Sequence, residues 1–120
     1  MKIQTNTLTD RALDWAAAKC EGVEVTYLDD GITRCLLRDP SGRFSPSTDW
    51  SQGGPIIERE GISINDTTMR GQGGNFAWCA TRIEGPAVSE EYGLTPLIAA
   101  MRCYVASHLG DEVDIPEELV

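Results

Sequence analysis

Residues 45–58, Ser-Pro-Ser-Thr-Asp-Trp-Ser-Gln-Gly-Gly-Pro-Ile-Ile-Glu, decide the reading of this fold, because they set a helix between two pairs of strands. Ser47, Thr48 and Asp49 are helix-capping residue types, whose side-chain oxygens accept the N–H groups that a first turn leaves without partners. The helix then continues through Ile56, Ile57 and Glu60 to Gly61. Gly53 and Gly54 permit positive φ or a close backbone approach. Two readings stay open. Small hydroxyls, a carboxylate and the indole of Trp50 form a compact binding site at a polar helix start, or they belong to a well-capped short helix ended by Gly53-Gly54-Pro55.

Upstream, Thr9 reads as an N-cap, with Leu8 and Leu13 at the two positions of a hydrophobic staple. Ala12, Leu13, Ala16, Ala17 and Cys20 continue that helix to Gly22 as its terminating glycine. Trp15 falls off the apolar stripe and is expected at a margin. Val23 to Leu28 alternates as a half-buried strand, Asp29-Asp30-Gly31 signals a tight turn, and Ile32 to Arg38 is the return strand. Asp39-Pro40-Ser41-Gly42 makes a further turn.

Downstream, Ile62 to Asn65 is a short strand, and residues 66–74, with three glycines, read as a mobile loop. Phe76 to Ile83 is a strand carrying Trp78. Residues 84–94 read as an acidic loop with Glu84, Glu90 and Glu91. Thr95-Pro96 opens a helix, proline being favoured at the first helical position. Leu97, Ile98, Met101, Val105 and Leu109 recur at helical spacing up to Gly110. The acidic tail, Asp111 to Val120, is expected to drape or fray. The order α-β-β-α-β-β-α predicts a single α+β domain over 1–120, with a small antiparallel sheet of about four strands covered by helices in a sandwich-like arrangement.

Composition excludes several function classes. The 120 residues are 41% hydrophobic, which suits one compact domain. No apolar run approaches the roughly 20 residues that span a bilayer. The N-terminus lacks the apolar core of a signal peptide, so an intracellular protein without membrane contact is expected. A net charge of −9 argues against duplex DNA, whose binding depends on neutralising phosphates. Acidity otherwise serves solubility, or mimics nucleic acid to block a DNA-binding partner. Eight of the ten cations are arginine, the residue suited to forked recognition of phosphate or carboxylate. An anionic ligand follows if Arg59, Arg70, Arg82 or Arg102 converge.

The four cysteines, Cys20, Cys35, Cys79 and Cys103, form no C-x-x-C pair and read as buried free thiols. With His108 as the one histidine, no metal site is expected. His108 falls in a last helical turn, where a cation meets the negative end of the dipole. No hydrolase, P-loop or metalloprotease signature occurs, and Gly71-Gln72-Gly73-Gly74 lacks the lysine and helix of a phosphate loop. Asp49 and Glu58 could pair, although capping and surface ion pairing are the commoner fates. No catalytic residue and no cofactor are therefore expected.

Binding chemistry is better represented. Trp50 and Trp78 can stack on a flat ring, or else pack in the core. Ser47 and Thr48 at a helix start suit a phosphate or carboxylate. Asp49 would oppose an anion beside it unless it caps the helix or accepts from a base edge. The candidate ligand-binding set is Ser47, Thr48, Asp49, Trp50, Gly53, Gly54, Arg59, Trp78 and Arg102.

The segments Ala-Leu-Asp-Trp-Ala-Ala-Ala-Lys-Cys-Glu-Gly (12–22), 45–58 and Thr-Pro-Leu-Ile-Ala-Ala-Met-Arg-Cys-Tyr-Val-Ala-Ser (95–107) together resemble a family of tailed-phage proteins labelled NinX. More loosely, the element order is similar to phage domains described as α-β-α sandwiches. The resemblance implies a phage or prophage product in a bacterial cytoplasm, dispensable for building particles, and supplies no activity. The combined expectation is a non-enzymatic accessory protein that binds a small, nucleotide-like ligand, in the concrete version capturing a host antiviral signal. The alternative is an acidic interaction module that inhibits a host enzyme or nucleic-acid-binding factor through 84–94 and the tail. A symmetric homodimer is expected as well, the commonest closed assembly.

Overall fold

A computed structural model describes residues 1–38, 42–67 and 78–120. In chain order the elements are β1 (Lys2–Gln4), α1 (Asp10–Glu21), β2 (Thr26–Asp29), β3 (Arg34–Arg38), β4 (Gly42–Arg43), α2 (Trp50–Glu60), β5 (Ser63–Asp66), β6 (Trp78–Glu84), β7 (Ala87–Gly93), α3 (Pro96–Leu109) and β8 (Glu112–Asp114). The fold is α+β. Its strands are divided among three small antiparallel sheets, β1-β8, β2-β3-β4 and β5-β6-β7, rather than gathered in one sheet of about four.

The helix boundaries follow from short-range chemistry. Thr9 precedes α1 in an extended conformation, Leu8 and Leu13 are both buried, and Gly22 ends the helix at φ +70°. Trp15 is partly buried at the margin of the core, under the Lys19 ammonium 4.8 Å from its ring. Thr95 caps α3 by accepting the Ile98 N–H at 3.1 Å, and Pro96 follows in the first turn. Helix α3 buries Leu97, Ala99, Ala100, Met101, Cys103, Tyr104 and Val105, so it is apolar over most of its circumference. That suits its place between β6-β7 on one side and α1 and α2 on the other.

The first hairpin has a longer turn than alternation implies, and its first strand begins at Thr26 rather than Val23 and runs on to Asp29. The Asp30 carboxylate accepts from Ile32 and Thr33, Asp29 accepts from Gly31, and Gly31 takes φ +85°. Ile32 and Thr33 thereby belong to the turn, leaving β2 and β3 to pair Thr26–Asp29 with Arg34–Arg38. Residues 39–41 of the expected turn at 39–42 and most of the loop at 66–74, with the strand start at Phe76, fall outside the described residues, while Gly42 opens β4.

Most of the acidic loop expected at 84–94 is a strand, Ala87–Gly93, and Glu84 ends β6. Gly85 at φ +58° reverses the chain, and β7 pairs with β6 from Glu84↔Ala87 to Trp78↔Gly93. Its half-buried or buried positions are Ser89, Glu91 and Gly93. No hydrophobic alternation therefore marks the strand, and charge suits an edge. Gly93 is required by a close approach: a Cβ there would lie 2.7 Å from the Ala99 nitrogen at the start of α3. The tail drapes. β8 pairs with β1, and Val113, Ile115 and Leu119 enter the core. Among the described residues no helix is long and apolar enough to cross a membrane.

Candidate functional site

The capping chemistry of the 45–54 block is realised one turn later than its first hydroxyl. Asp49 is the N-cap of α2: its Oδ1 accepts from the Ser51 N–H at 2.9 Å and the Ser51 hydroxyl at 2.7 Å, which hold the carboxyl below its ordinary range. Gly53 and Gly54 lie inside the helix, which runs to Gly61, so the ending at Gly53-Gly54-Pro55 does not occur. Gly53 is needed for packing, because a Cβ would lie 2.5 Å from the Pro46 carbonyl oxygen and 2.6 Å from a Leu97 methyl. Gly54 faces open space. Gln52 pins the preceding chain, accepting from the Ser45 N–H at 2.8 Å and donating to the Arg43 carbonyl at 2.9 Å.

Ser47 is buried, and its backbone N–H donates to Asp14 Oδ1 at 2.8 Å. Asp14 sits on α1 with only 4% of its surface exposed. Burial pushes its carboxyl up to about 6, against the opposing effect of Ser47. Thr48 and Trp50 reach the surface. Trp50 is 55% exposed. It borders a pocket of about 230 Å³ with Ser47, Thr48, Thr95, Pro96, Leu97 and Ile98, where the starts of α2 and α3 meet.

The remaining candidates lie elsewhere. Trp78, at the start of β6, is partly buried against the core and does not line that pocket. Arg102 is tied into the interior, donating from Nε to the Leu8 carbonyl at 2.9 Å and from a terminal nitrogen to the Tyr92 carbonyl at 2.8 Å. Arg59 grips Glu21 through both terminal nitrogens and Glu60 through Nε at 3.0 Å. Tyr104 also donates to Glu21, and Glu60 meets His108 Nε2 at 2.8 Å and Arg82 at 3.3 Å. Burial alone would raise the Glu21 and Glu60 carboxyls. Hydrogen bonds from Arg59 and Tyr104 to Glu21, and from His108 and Arg59 to Glu60, outweigh it and hold both below the ordinary range. This network joins all three helices to β6. His108 thus finds a carboxylate as well as the C-terminal end of α3.

A second feature was not singled out by sequence. Arg11 on α1, Arg34 on β3 and Arg43 on β4 line a cleft of about 220 Å³ with Asp10, Asp14, Cys35, Leu36, Phe44, Ser45 and Thr48. Arg43 and Phe44 also border a neighbouring cleft of about 310 Å³ that includes Arg38 and Arg59. The one sequence signal for this was the excess of arginine over lysine. Nothing local shows that positions 11, 34 and 43 meet. Asp10, at the lip, has φ +50°, the one positive value for a residue other than glycine among the described residues. Such backbone costs of order 1 kcal/mol.

Among the described residues no group of three or more His, Cys, Asp or Glu side chains could hold a metal ion. All four cysteines are free thiols, and burial pushes Cys20 and Cys103 up to about 12.

A family model described as Bacteriophage P22, NinX matches residues 4–108. A solved structure of a phage protein from Bacillus cereus ATCC 14579 superposes with a TM-score of 0.61 at 17% identity, over 88% of this chain and 97% of that one. At that identity the likeness is one of fold. No curated protein matches the chain.

Proposed function

We propose, for a chain that belongs to the bacteriophage P22 NinX family, the role of a non-enzymatic phage accessory protein that binds a small, nucleotide-like ligand. One observation carries this reading: the indole of Trp50 stands more than half exposed on the first residue of a capped helix, at the lip of a pocket. A large aromatic so placed loses little freedom on meeting a flat ring, and stacking contributes about 1–3 kcal/mol per base. Pro96, Leu97 and Ile98 supply apolar walls, while Thr48 offers a hydroxyl. Capture of a nucleotide-like host antiviral signal is the specific form proposed, because sequestration needs affinity and no reacting group. Native mass spectrometry of the protein purified from infected cells, followed by calorimetry against cyclic and linear nucleotides, tests it. Silence across that panel would sink the reading.

The competing reading, an acidic module that inhibits a host protein, draws on β7, an edge strand that exposes Glu90. A stoichiometric host partner that survives Trp50→Ala but is lost on Glu90→Lys favours it.

A further inference from the structure

We propose that the cleft between the start of α1 and the β3–β4 hairpin is an oxyanion site, which receives a phosphate of the same ligand whose flat ring meets Trp50. The second half of this inference rests on the Trp50 reading; the first half does not.

The arginines differ in what they already hold. Arg59 and Arg82 lie within 2.5–3.3 Å of carboxylates, and Arg102 donates to two carbonyls. The cleft arginines are differently placed. Arg34 meets Asp29 only at 3.5 Å. Arg43 forms no ion pair with any described residue. Arg11 lies over the Tyr27 ring at 5.9 Å, and its buried Nε has no hydrogen-bond partner. In a chain of net charge −9, three guanidinium groups with donors to spare around one cleft are not a consequence of composition.

The geometry selects the anion class. A planar carboxylate is satisfied by a single guanidinium fork, whereas groups arriving from α1, β3 and β4 suit a tetrahedral oxyanion with oxygens in several directions. Two carboxylates share the cleft and oppose an anion. Asp10 lies at the lip. Asp14 is buried with one oxygen on the Ser47 N–H, and its burial favours the neutral form. The cleft is small beside the roughly 300–1,000 Å³ of a typical small-molecule pocket, so it holds a phosphate and not a whole nucleotide. Thr48 borders both this cleft and the Trp50 pocket, so the two sites lie on either side of one residue, as one ligand spanning both requires.

The test is an NMR titration of arginine Nε–H signals and backbone amides with inorganic phosphate, adenosine and ADP. Phosphate is expected to shift Arg11, Arg34 and Arg43 but not Arg59 or Arg82, and ADP to bind more tightly than either fragment. The double variant R34Q/R43Q should weaken phosphate and ADP alike, by about tenfold or more. W50A should weaken ADP and leave phosphate unchanged. Cleft signals that ignore phosphate, or an R34Q/R43Q protein that binds it as the parent does, overturn the oxyanion site. If the cleft binds phosphate but ADP gains nothing over it and ignores W50A, the shared ligand and the Trp50 reading fall while the oxyanion site stands. Arg34 and Arg43 are both exposed, so an unchanged melting curve shows that any loss comes from the cleft.

Discussion

The Ser47 backbone N–H donates to the buried carboxyl of Asp14 at 2.8 Å, tying the turn before α2 to the first helix across 33 positions of sequence. Together with the hold of Gln52 on Ser45 and Arg43, this bond places the 45–50 segment that borders both candidate clefts. Its acceptor titrates within reach of ordinary buffers. Asp14 rises from an ordinary 3.8 to about 6 in the folded protein. Between those values the folded state holds a proton that the unfolded state has lost, so this group's contribution to stability falls as pH rises and levels off above about 6. The loss is on the order of 3 kcal/mol. Urea unfolding from pH 4 to 7 should show Asp14→Asn gaining on the parent as pH increases. Parallel curves would refute the shift.

Two adjacent glycines should respond in opposite ways. Gly53→Ala drives a methyl into the Pro46 carbonyl and Leu97, and overpacking of that kind costs about 1–3 kcal/mol. Gly54→Ala meets open space inside α2 and should stabilise by up to about 1 kcal/mol through helix propensity. Thermal melts of the two variants check both signs.

Trp50→Ala should lower stability by less than about 1 kcal/mol, because the side chain is largely in solvent; a buried aromatic would cost about 3–5 kcal/mol. Calorimetry with the ligand identified in the panel should show binding lost. A large melting drop without any ligand effect would return Trp50 to the scaffold.

Arg102→Met leaves the Leu8 and Tyr92 carbonyls without their charged donor, and should cost about 2–3 kcal/mol. Ligand affinity in the folded fraction should not move. Denaturant midpoints and a binding isotherm on the same sample distinguish a structural arginine from a ligand contact.

The β6–β7 hairpin exposes Ile83 and Val88, which face each other across the strands at 69% and 62% exposure. We expect a symmetric dimer through this tip, with sedimentation equilibrium reporting twice the chain mass at micromolar concentration and Val88→Lys restoring the monomer. A parent protein already monomeric there ends the idea.

Features that depend on neighbours a few positions away are legible in the amino-acid order alone. The side-chain caps at Asp49 and Thr95, the helix start after Thr9 (which makes no side-chain cap bond), the turn begun by Asp29-Asp30-Gly31, and the stops at Gly22, Gly61 and Gly110 are all recorded in residues within one turn of the event. Tertiary structure decided the rest. β7 became a strand because β6 and α3 offered it an edge, although its half-buried positions hold Ser89 and Glu91. β1 and β8 exist only through each other, from opposite ends of the chain. Trp50 stands in solvent while Trp78 packs on the core, a distinction set by which element covers each. Arg11, Arg34 and Arg43 share a cleft because α1 and the β3–β4 hairpin pack side by side. Such contacts join positions tens of residues apart, and local spacing holds no record of them, because what brings them together is burial of apolar surface, which has no direction along the chain.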